Sequence, residues 1–179
     1  MLSSAKRQAP SVLRAVVLMT LIPLTQGGCL YSFQAGAGFP PHVQTLAVLP
    51  FDNETGRFEL TGEIHQVLLR DLPRALGVRS AGADVADAIL RGSVRRYSVD
   101  APLYRPGADG QRAEVVERQV TLALQVEIID VRDNVILWED GNLSAQGQFL
   151  EQGEVEEVGR DEAIALLVQR IVDGAQSNW

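Results

Sequence analysis

The chain has 179 residues, of which 46% are hydrophobic, and a formal net charge of −7 at pH 7. This length and apolar content suffice for one domain with its own buried core. The acidic balance excludes nucleic-acid binding through a basic face.

The first 28 residues resemble a bacterial lipoprotein signal. Basic residues precede an apolar run from Ala15 to Leu24, and two glycines lead to Cys29, the only cysteine. The run is too short to cross a bilayer, which needs about 20 residues. Because Cys29 has no disulfide partner, we expect it to be acylated and to become the N-terminus, although Gln26 stands where such signals usually have Leu. The alternative is a plain signal peptide followed by a buried cysteine.

Cleavage before Cys29 sets the predicted domain organisation. Residues 1–28 are a signal peptide, residues 29–41 an extended linker with two glycines and two prolines, and residues 42–179 a single periplasmic domain. Leu30 favours delivery to the outer membrane, because in enterobacteria an aspartate at this position signals retention in the inner membrane. The mature chain then carries 13 basic and 23 acidic residues, and all of its basic residues are arginines.

The first half of the domain reads as a strand followed by a helix. Val43 to Phe51 predicts a strand, and Asp52 to Gly56 has the short polar residues and glycine of a turn. Apolar residues at helical spacing predict a helix from Phe58 to Leu72. Pro73 is expected to end or kink that helix.

The middle of the domain predicts a hairpin. A short strand and a turn are expected within residues 78–88, a strand from Ile89 to Val99, and a polar loop over residues 102–112. The longest alternating pattern predicts a strand from about Val115 to Val131, with a return strand from Val135 to about Ala145.

The last segment, from Val155 to about Gln176, is the clearest helix, with apolar residues at steps of three and one. The element order is therefore strand, helix, strand, strand, strand, helix. It predicts an α+β fold, a mostly antiparallel sheet of about four strands with two helices packed on one face.

Catalytic and metal-binding residue patterns are missing from the sequence. His42 lies in the proline-rich segment and His65 on the first helix, and neither has a plausible catalytic setting. No metal-ligand cluster and no glycine-rich phosphate loop is apparent. The sequence therefore predicts a protein that is not an enzyme and has no cofactor.

Ordered motifs across the mature chain resemble one family. They are Cys29-x-Tyr31-Ser32-Phe33, Pro40-Pro41-His42-Val43-x-Thr45-Leu46-Ala47-Val48, Phe51-x-Asn53-x-Thr55, Ala86-Asp87-Ala88-Ile89-Leu90-Arg91-Gly92-Ser93-Val94-x-x-Tyr97-Ser98 and Val135-Ile136-Leu137-Trp138. In this order and spacing they resemble the LptE family of lipopolysaccharide-assembly lipoproteins. One departure is Leu30, where many members carry Gly.

The resemblance implies a non-enzymatic outer-membrane lipoprotein held on the periplasmic face by acylated Cys29. Members of the family lie inside the lumen of the LptD β-barrel, help it fold, plug it, and bind lipopolysaccharide on its way to the cell surface. The implied partners are therefore an LptD-type β-barrel and lipopolysaccharide.

Arginines on the second predicted strand are the candidate lipopolysaccharide contacts, because lipopolysaccharide carries phosphates and arginine binds phosphate in bidentate geometry. The candidates are Arg91, Arg95 and Arg96. The alternative is a solvated strand face with cross-strand pairs to Glu114, Glu117 or Glu127.

A second functional class remains open. The stretch from Leu46 to Thr55 also occurs in envelope lipoproteins that activate penicillin-binding proteins and in curli-secretion lipoproteins. The alternative function is therefore an adaptor lipoprotein that activates a peptidoglycan synthase or acts on another envelope machine.

Overall fold

The computed structural model describes residues 39–106 and 113–177, which form an α+β domain with two helices and one six-stranded sheet. The elements are β1 (Thr45–Val48), β2 (Asp52–Asn53), α1 (Glu59–Ala75), β3 (Arg79–Ser80), β4 (Ala88–Pro106), β5 (Ala113–Asp130), β6 (Val135–Leu150) and α2 (Glu156–Ser177). The predicted signal peptide, Cys29, the linker up to residue 38, and residues 107–112 of the predicted loop lie outside the described residues.

The sheet is mixed, which corrects the prediction of a mostly antiparallel sheet of about four strands. Its order is β3-β1-β4-β5-β6, with β2 paired to β4. β1 is parallel to both β3 and β4, and β2 is parallel to β4, whereas β5 is antiparallel to both β4 and β6. The strands β2 and β3 have two residues each, so they leave no alternating pattern in the sequence.

The β4–β5 hairpin is longer than predicted. β4 continues to Pro106 and pairs there with Ala113, so residues 102–106 of the predicted loop are strand. The two prolines suggested a loop, but Pro102 lies within a register irregularity between Asp100 and Leu103, where a proline removes no ladder hydrogen bond. β6 likewise runs on to Leu150, five residues past its predicted end.

One face of the sheet carries the core. Alternate residues of the strands point to this face, where both helices contribute their buried stripes to one cluster. The central members are Leu46, Leu90, Val94, Val120, Leu122, Leu124 and Ile128 from the strands, with Leu60, Ile64, Leu68, Leu72, Ile164, Leu167 and Ile171 from the helices. This confirms the prediction of two helices with apolar stripes at helical spacing.

Glycines set how closely α2 approaches the sheet. A Cβ atom at Gly147 on β6 would lie 1.9 Å from the carbonyl oxygen of Gly159 on α2. The absence of a side chain at Gly147 therefore lets the helix backbone rest on the strand.

The first helix passes through Pro73 and ends at Ala75, with Gly77 following at a φ of 71°. Pro73 lies in the last turn, where its missing N–H removes only one helical hydrogen bond. Its carbonyl accepts a hydrogen bond from the N–H of Val78 at 2.9 Å. The expected helix end at Pro73 is therefore displaced by less than one turn.

Candidate functional site

The face of β4, β5 and β6 opposite the helices is not covered by any described element, and we call it the open face. Alternation places short hydroxyl and amide side chains across its centre. They are Ser93 and Ser98 on β4, Gln119, Thr121 and Gln125 on β5, and Ser144, Gln146 and Gln148 on β6. Ala123 and Arg96 lie among them, so the centre of the open face is polar and carries the charge of Arg96.

The three candidate arginines differ in their partners. Arg91 forms an ion pair with Glu127, the residue directly opposite it on β5, which fits the cross-strand alternative. Arg95 lies in a register shift of β4 and pairs with Glu54. Arg96 is exposed and forms no hydrogen bond or ion pair with any described residue.

The other described arginines of the β4–β5 hairpin have carboxylate partners, unlike Arg96. Arg105 lies 3.2 Å from Glu114, and Arg118 pairs with Glu151. On the open face, Arg96 is opposite Ala123, which in turn is opposite Ser144. An anionic group could therefore bind the Arg96 guanidinium without displacing a carboxylate.

A half-buried ionic network joins both helices to β4 beneath the hairpin. The Tyr97 hydroxyl donates to Glu156 at 2.6 Å, and the guanidinium of Arg57 lies 5.1 Å from the centroid of the Tyr97 ring. Burial, followed by the hydrogen bond to Glu156, raises the pKa of Tyr97 to about 12. Arg160, almost fully buried, lies 2.8 Å from Glu63 on α1.

Sequence reasoning missed this network, because Arg160 lies in an acidic stretch that is typical of a solvated helix start. Its ion pairs and the Tyr97 hydrogen bond fix the start of α2 against α1 and β4. The network therefore stabilises the packing of the domain.

His42, Asp130 and Asp133 converge where the chain enters the sheet. His42 Nε2 lies 2.6 Å from Asp130 Oδ2, and the other Asp130 oxygen accepts from the N–H groups of Arg132 and Asp133. Burial would raise the pKa of Asp130, but these hydrogen bonds outweigh it and lower the pKa below its ordinary value. The ligand atoms of the three residues lie within 4.8 Å of one another, close enough for a metal ion, yet the hydrogen bonds already account for their arrangement.

Two motif pairs from the sequence have structural roles. Asp87 Oδ2 accepts from the backbone N–H and the hydroxyl of Thr45, at 2.9 and 2.7 Å, and so joins β1 to the start of β4. Asn53 Oδ1 accepts from the N–H and hydroxyl of Thr55, at 2.9 and 2.7 Å, and fixes the turn before α1. These residues stabilise the fold and do not form a reactive site.

Two open clefts lie on the described part of the chain. One of about 340 Å³ is lined by Thr55, Gly56, Arg57, Tyr97, Ser98 and Val99. This cleft brings together no nucleophile and base. Separately, none of the described helices is long and apolar enough to span a membrane. The geometry points to a binding surface, the open face, more than to a catalytic pocket.

The comparisons with known proteins agree with this fold. The family model described as LptE, lipopolysaccharide-assembly, matches residues 43–174. No curated protein matches the chain. Among solved structures, a hypothetical protein from Chlamydia trachomatis is similar at 10% identity and a TM-score of 0.52, covering 74% of this chain and 98% of that one.

Two further solved structures are similar to the chain. A PelC dodecamer from Paraburkholderia phytofirmans is similar at 17% identity and a TM-score of 0.48, covering 79% of this chain and 93% of that one. A lipoprotein from Neisseria meningitidis is similar at 16% identity and a TM-score of 0.45, covering 72% of this chain and 95% of that one.

Proposed function

The chain belongs to the LptE family of lipopolysaccharide-assembly proteins, and on this basis we propose that it is an outer-membrane lipoprotein that plugs an LptD-type β-barrel. In this role it assists the transport of lipopolysaccharide to the outer membrane and its insertion there. The observation that carries the proposal is the family match over residues 43–174, which includes every described strand and most of α2. The family is non-enzymatic, which agrees with this role.

The proposed location follows from the N-terminal segment. Residues 1–28 direct export and are removed, and Cys29 carries the acyl chains. Residues 29–41 then link this anchor to the periplasmic domain, residues 42–179. Two or more acyl chains hold a protein firmly on a membrane, whereas one chain binds only marginally.

The open face is the proposed contact with the barrel. The lumen of an outer-membrane barrel is polar, so a partner inside it must match polar groups with polar groups. The serine, threonine and glutamine side chains at the centre of the open face can donate and accept hydrogen bonds. Arg96 lies on the same face, and an unpaired charge in a buried interface is costly, so its guanidinium needs an anionic ligand there.

Lipopolysaccharide phosphate is the proposed ligand of the arginines on β4. Arg96 is the primary contact, because its guanidinium has no partner among the described residues. Arg91 and Arg95 are secondary contacts, because each must first give up its pairing with Glu127 or Glu54.

Charge reversal at Arg96 tests the ligand. R96E should weaken the binding of lipopolysaccharide to the purified protein by about tenfold, since a charge-assisted contact is lost and a repulsive one is introduced. The matched control is R74E on α1, because Arg74 likewise has no carboxylate partner among the described residues. Equal binding by the R96E and R74E variants would remove Arg96 from the site.

The adaptor alternative rests on the stretch from Leu46 to Thr55. In this stretch Leu46 and Phe51 are core residues, and Asn53 and Thr55 fix a turn. The residues behind the alternative therefore have roles in the fold itself, which a protein of either function needs. The plug function is accordingly the one we carry forward.

A further inference from the structure

One end of the sheet carries a group of exposed aliphatic side chains. Val85, Val131, Val135 and Ile136 are 75%, 47%, 49% and 52% exposed, and we call them the anchor-side patch. All four lie next to the β5–β6 turn or the segment before β4. Large exposed apolar groups in one place mark a contact surface more often than isolated ones do.

Backbone pairing brings these residues to the same end of the domain. The N–H of Val131 donates to the carbonyl of Asp87 at 2.9 Å, two residues after Val85. Val135 pairs with Asp130 across the turn, and Ile136 pairs with Ile129. Ile129 pairs in turn with Ile89, so an isoleucine row continues from the patch across β5 and β4 on the open face.

The chain enters the domain at this same end. His42 is hydrogen-bonded to Asp130 at the base of the β5–β6 turn, and Phe39 packs against the core nearby. Phe39 is ten positions after Cys29, and ten residues can span at most about 35 Å when fully extended. If Cys29 is acylated, this end is therefore the part of the domain held closest to the membrane.

We propose that the anchor-side patch rests on the phospholipid leaflet that holds the acylated Cys29. The proposal builds on the lipid anchor of the proposed function, and it assigns this surface a lipid partner and not a protein one. The short linker keeps the patch at a high effective concentration near the bilayer, so weak interfacial binding is sufficient. Arg132, with a side chain 72% exposed at the tip of the turn, can contact lipid phosphates.

The opposite end of the domain supplies a matched control. Leu103, Leu150 and Val155 are 50%, 47% and 61% exposed, similar to Val131, Val135 and Ile136. They lie beside the β4–β5 hairpin and the start of α2, away from the entry of the linker. Serine substitutions there remove as much exposed apolar surface without changing the anchor side.

Vesicle flotation of an acyl-free chain tests the proposal directly. The chain from residue 29 onward with C29S is mixed with vesicles of phosphatidylethanolamine and phosphatidylglycerol. We expect measurable flotation that falls at least fivefold for V131S/V135S/I136S and changes less than twofold for L103S/L150S/V155S. Circular dichroism and thermal unfolding of each variant verify that it folds.

Three results would overturn the proposal. The first is no flotation of the parent chain, and the second is equal loss in both triple variants. The third is that V131S/V135S/I136S abolishes co-purification with the barrel or self-association of the chain, because the patch is then covered by protein. Since the acyl-free vesicle assay involves no barrel, its failure leaves the proposed plug function standing and can be told apart from failure of that function.

Discussion

Gly92 illustrates how one residue of the sequence motif serves the packing of the fold. A Cβ atom at this position would lie 2.2 Å from the carbonyl oxygen of Gln125 and 2.8 Å from the ring of Phe51. Phe51, also a motif residue, is buried against this glycine. The motif that contains Phe51 and the motif that contains Gly92 are therefore in contact, where the segment that follows β1 packs against β4.

The first prediction is that G92A destabilises the domain by about 2–3 kcal/mol, because the added methyl group forces the ring and the strand apart. G141A on β6 is the control, since a Cβ atom there has no neighbour within 4 Å. Its expected effect is within about 0.5 kcal/mol. Urea unfolding at pH 7 measures both, and equal stability of the two variants would contradict the packing described for Phe51.

Asp87 gives a prediction about pH. Asp87 accepts hydrogen bonds from the Thr45 hydroxyl and from the backbone N–H groups of Gln44 and Thr45. These bonds, that of the hydroxyl first, lower the pKa of Asp87 below its ordinary value. A carboxyl group with a lowered folded-state pKa stabilises the fold above its unfolded pKa, about 3.9. That stabilisation is lost as the pH falls through the lower, folded-state value.

D87N should therefore reduce stability at pH 7 and flatten the loss of stability below about pH 4. D84N is the control, because Asp84 is exposed and forms no hydrogen bond or ion pair with a described residue. The measurement is the free energy of unfolding of the three chains between pH 7 and pH 3. Parallel curves for the parent chain and D87N would show that Asp87 does not couple folding to protonation.

The sequence predicted which arginines to consider but not which of them is free. The pairing of Arg91 with Glu127 follows from strand register and was foreseeable as an alternative. The pairing of Arg95 with Glu54 depends on a parallel contact between β2 and β4 that has no periodic signal. Only the structure shows that Arg91 and Arg95 have carboxylate partners and that Arg96 has none among the described residues.

At the scale of elements, β6 is an edge strand, and side chains bind three of its backbone groups. The N–H of Gln148 donates to Glu162 at 2.7 Å, and that of Leu150 donates to Glu154 at 2.6 Å. Arg170 donates to the carbonyl of Ser144. Long exposed strand edges invite pairing with another chain, and charged side chains on the edge oppose it.

Removing these carboxylates should expose the edge. E154A/E162A is expected to self-associate at concentrations where the parent chain does not, because unpaired N–H groups then become available for strand pairing. E139A/D161A removes the same number of negative charges, from β6 and α2, with side chains that bond no described residue, and should behave like the parent. Sedimentation velocity over a concentration series measures this, and an unchanged sedimentation coefficient for the double variant would show that the edge needs no such protection.

The long elements could be predicted from the sequence because their apolar residues repeat over many turns or alternations. This holds for α2, for β5 and for the β5–β6 hairpin. The two-residue strands β2 and β3 could not be predicted, since their positions depend on pairing with distant strands. Pro102 was misread as a loop residue, because a proline within a strand irregularity looks the same in sequence as a proline in a turn.

At the scale of the whole molecule, the two ends of the sheet differ. One end receives the chain at His42 and carries the anchor-side patch, and the other carries the β4–β5 hairpin and the start of α2. The open face extends between them, with a polar centre that includes Arg96. This arrangement suits a domain that is held at one end by a membrane anchor while its open face meets a partner.

The central claim is assembly with an LptD-type barrel, and one pull-down tests it most directly. The acylated, tagged chain is recovered from outer membranes under mild detergent, and the proteins that accompany it are identified and quantified by mass spectrometry. The account predicts a stoichiometric β-barrel protein of translocon size. Recovery of a peptidoglycan synthase in its place, or of the chain alone, would contradict it.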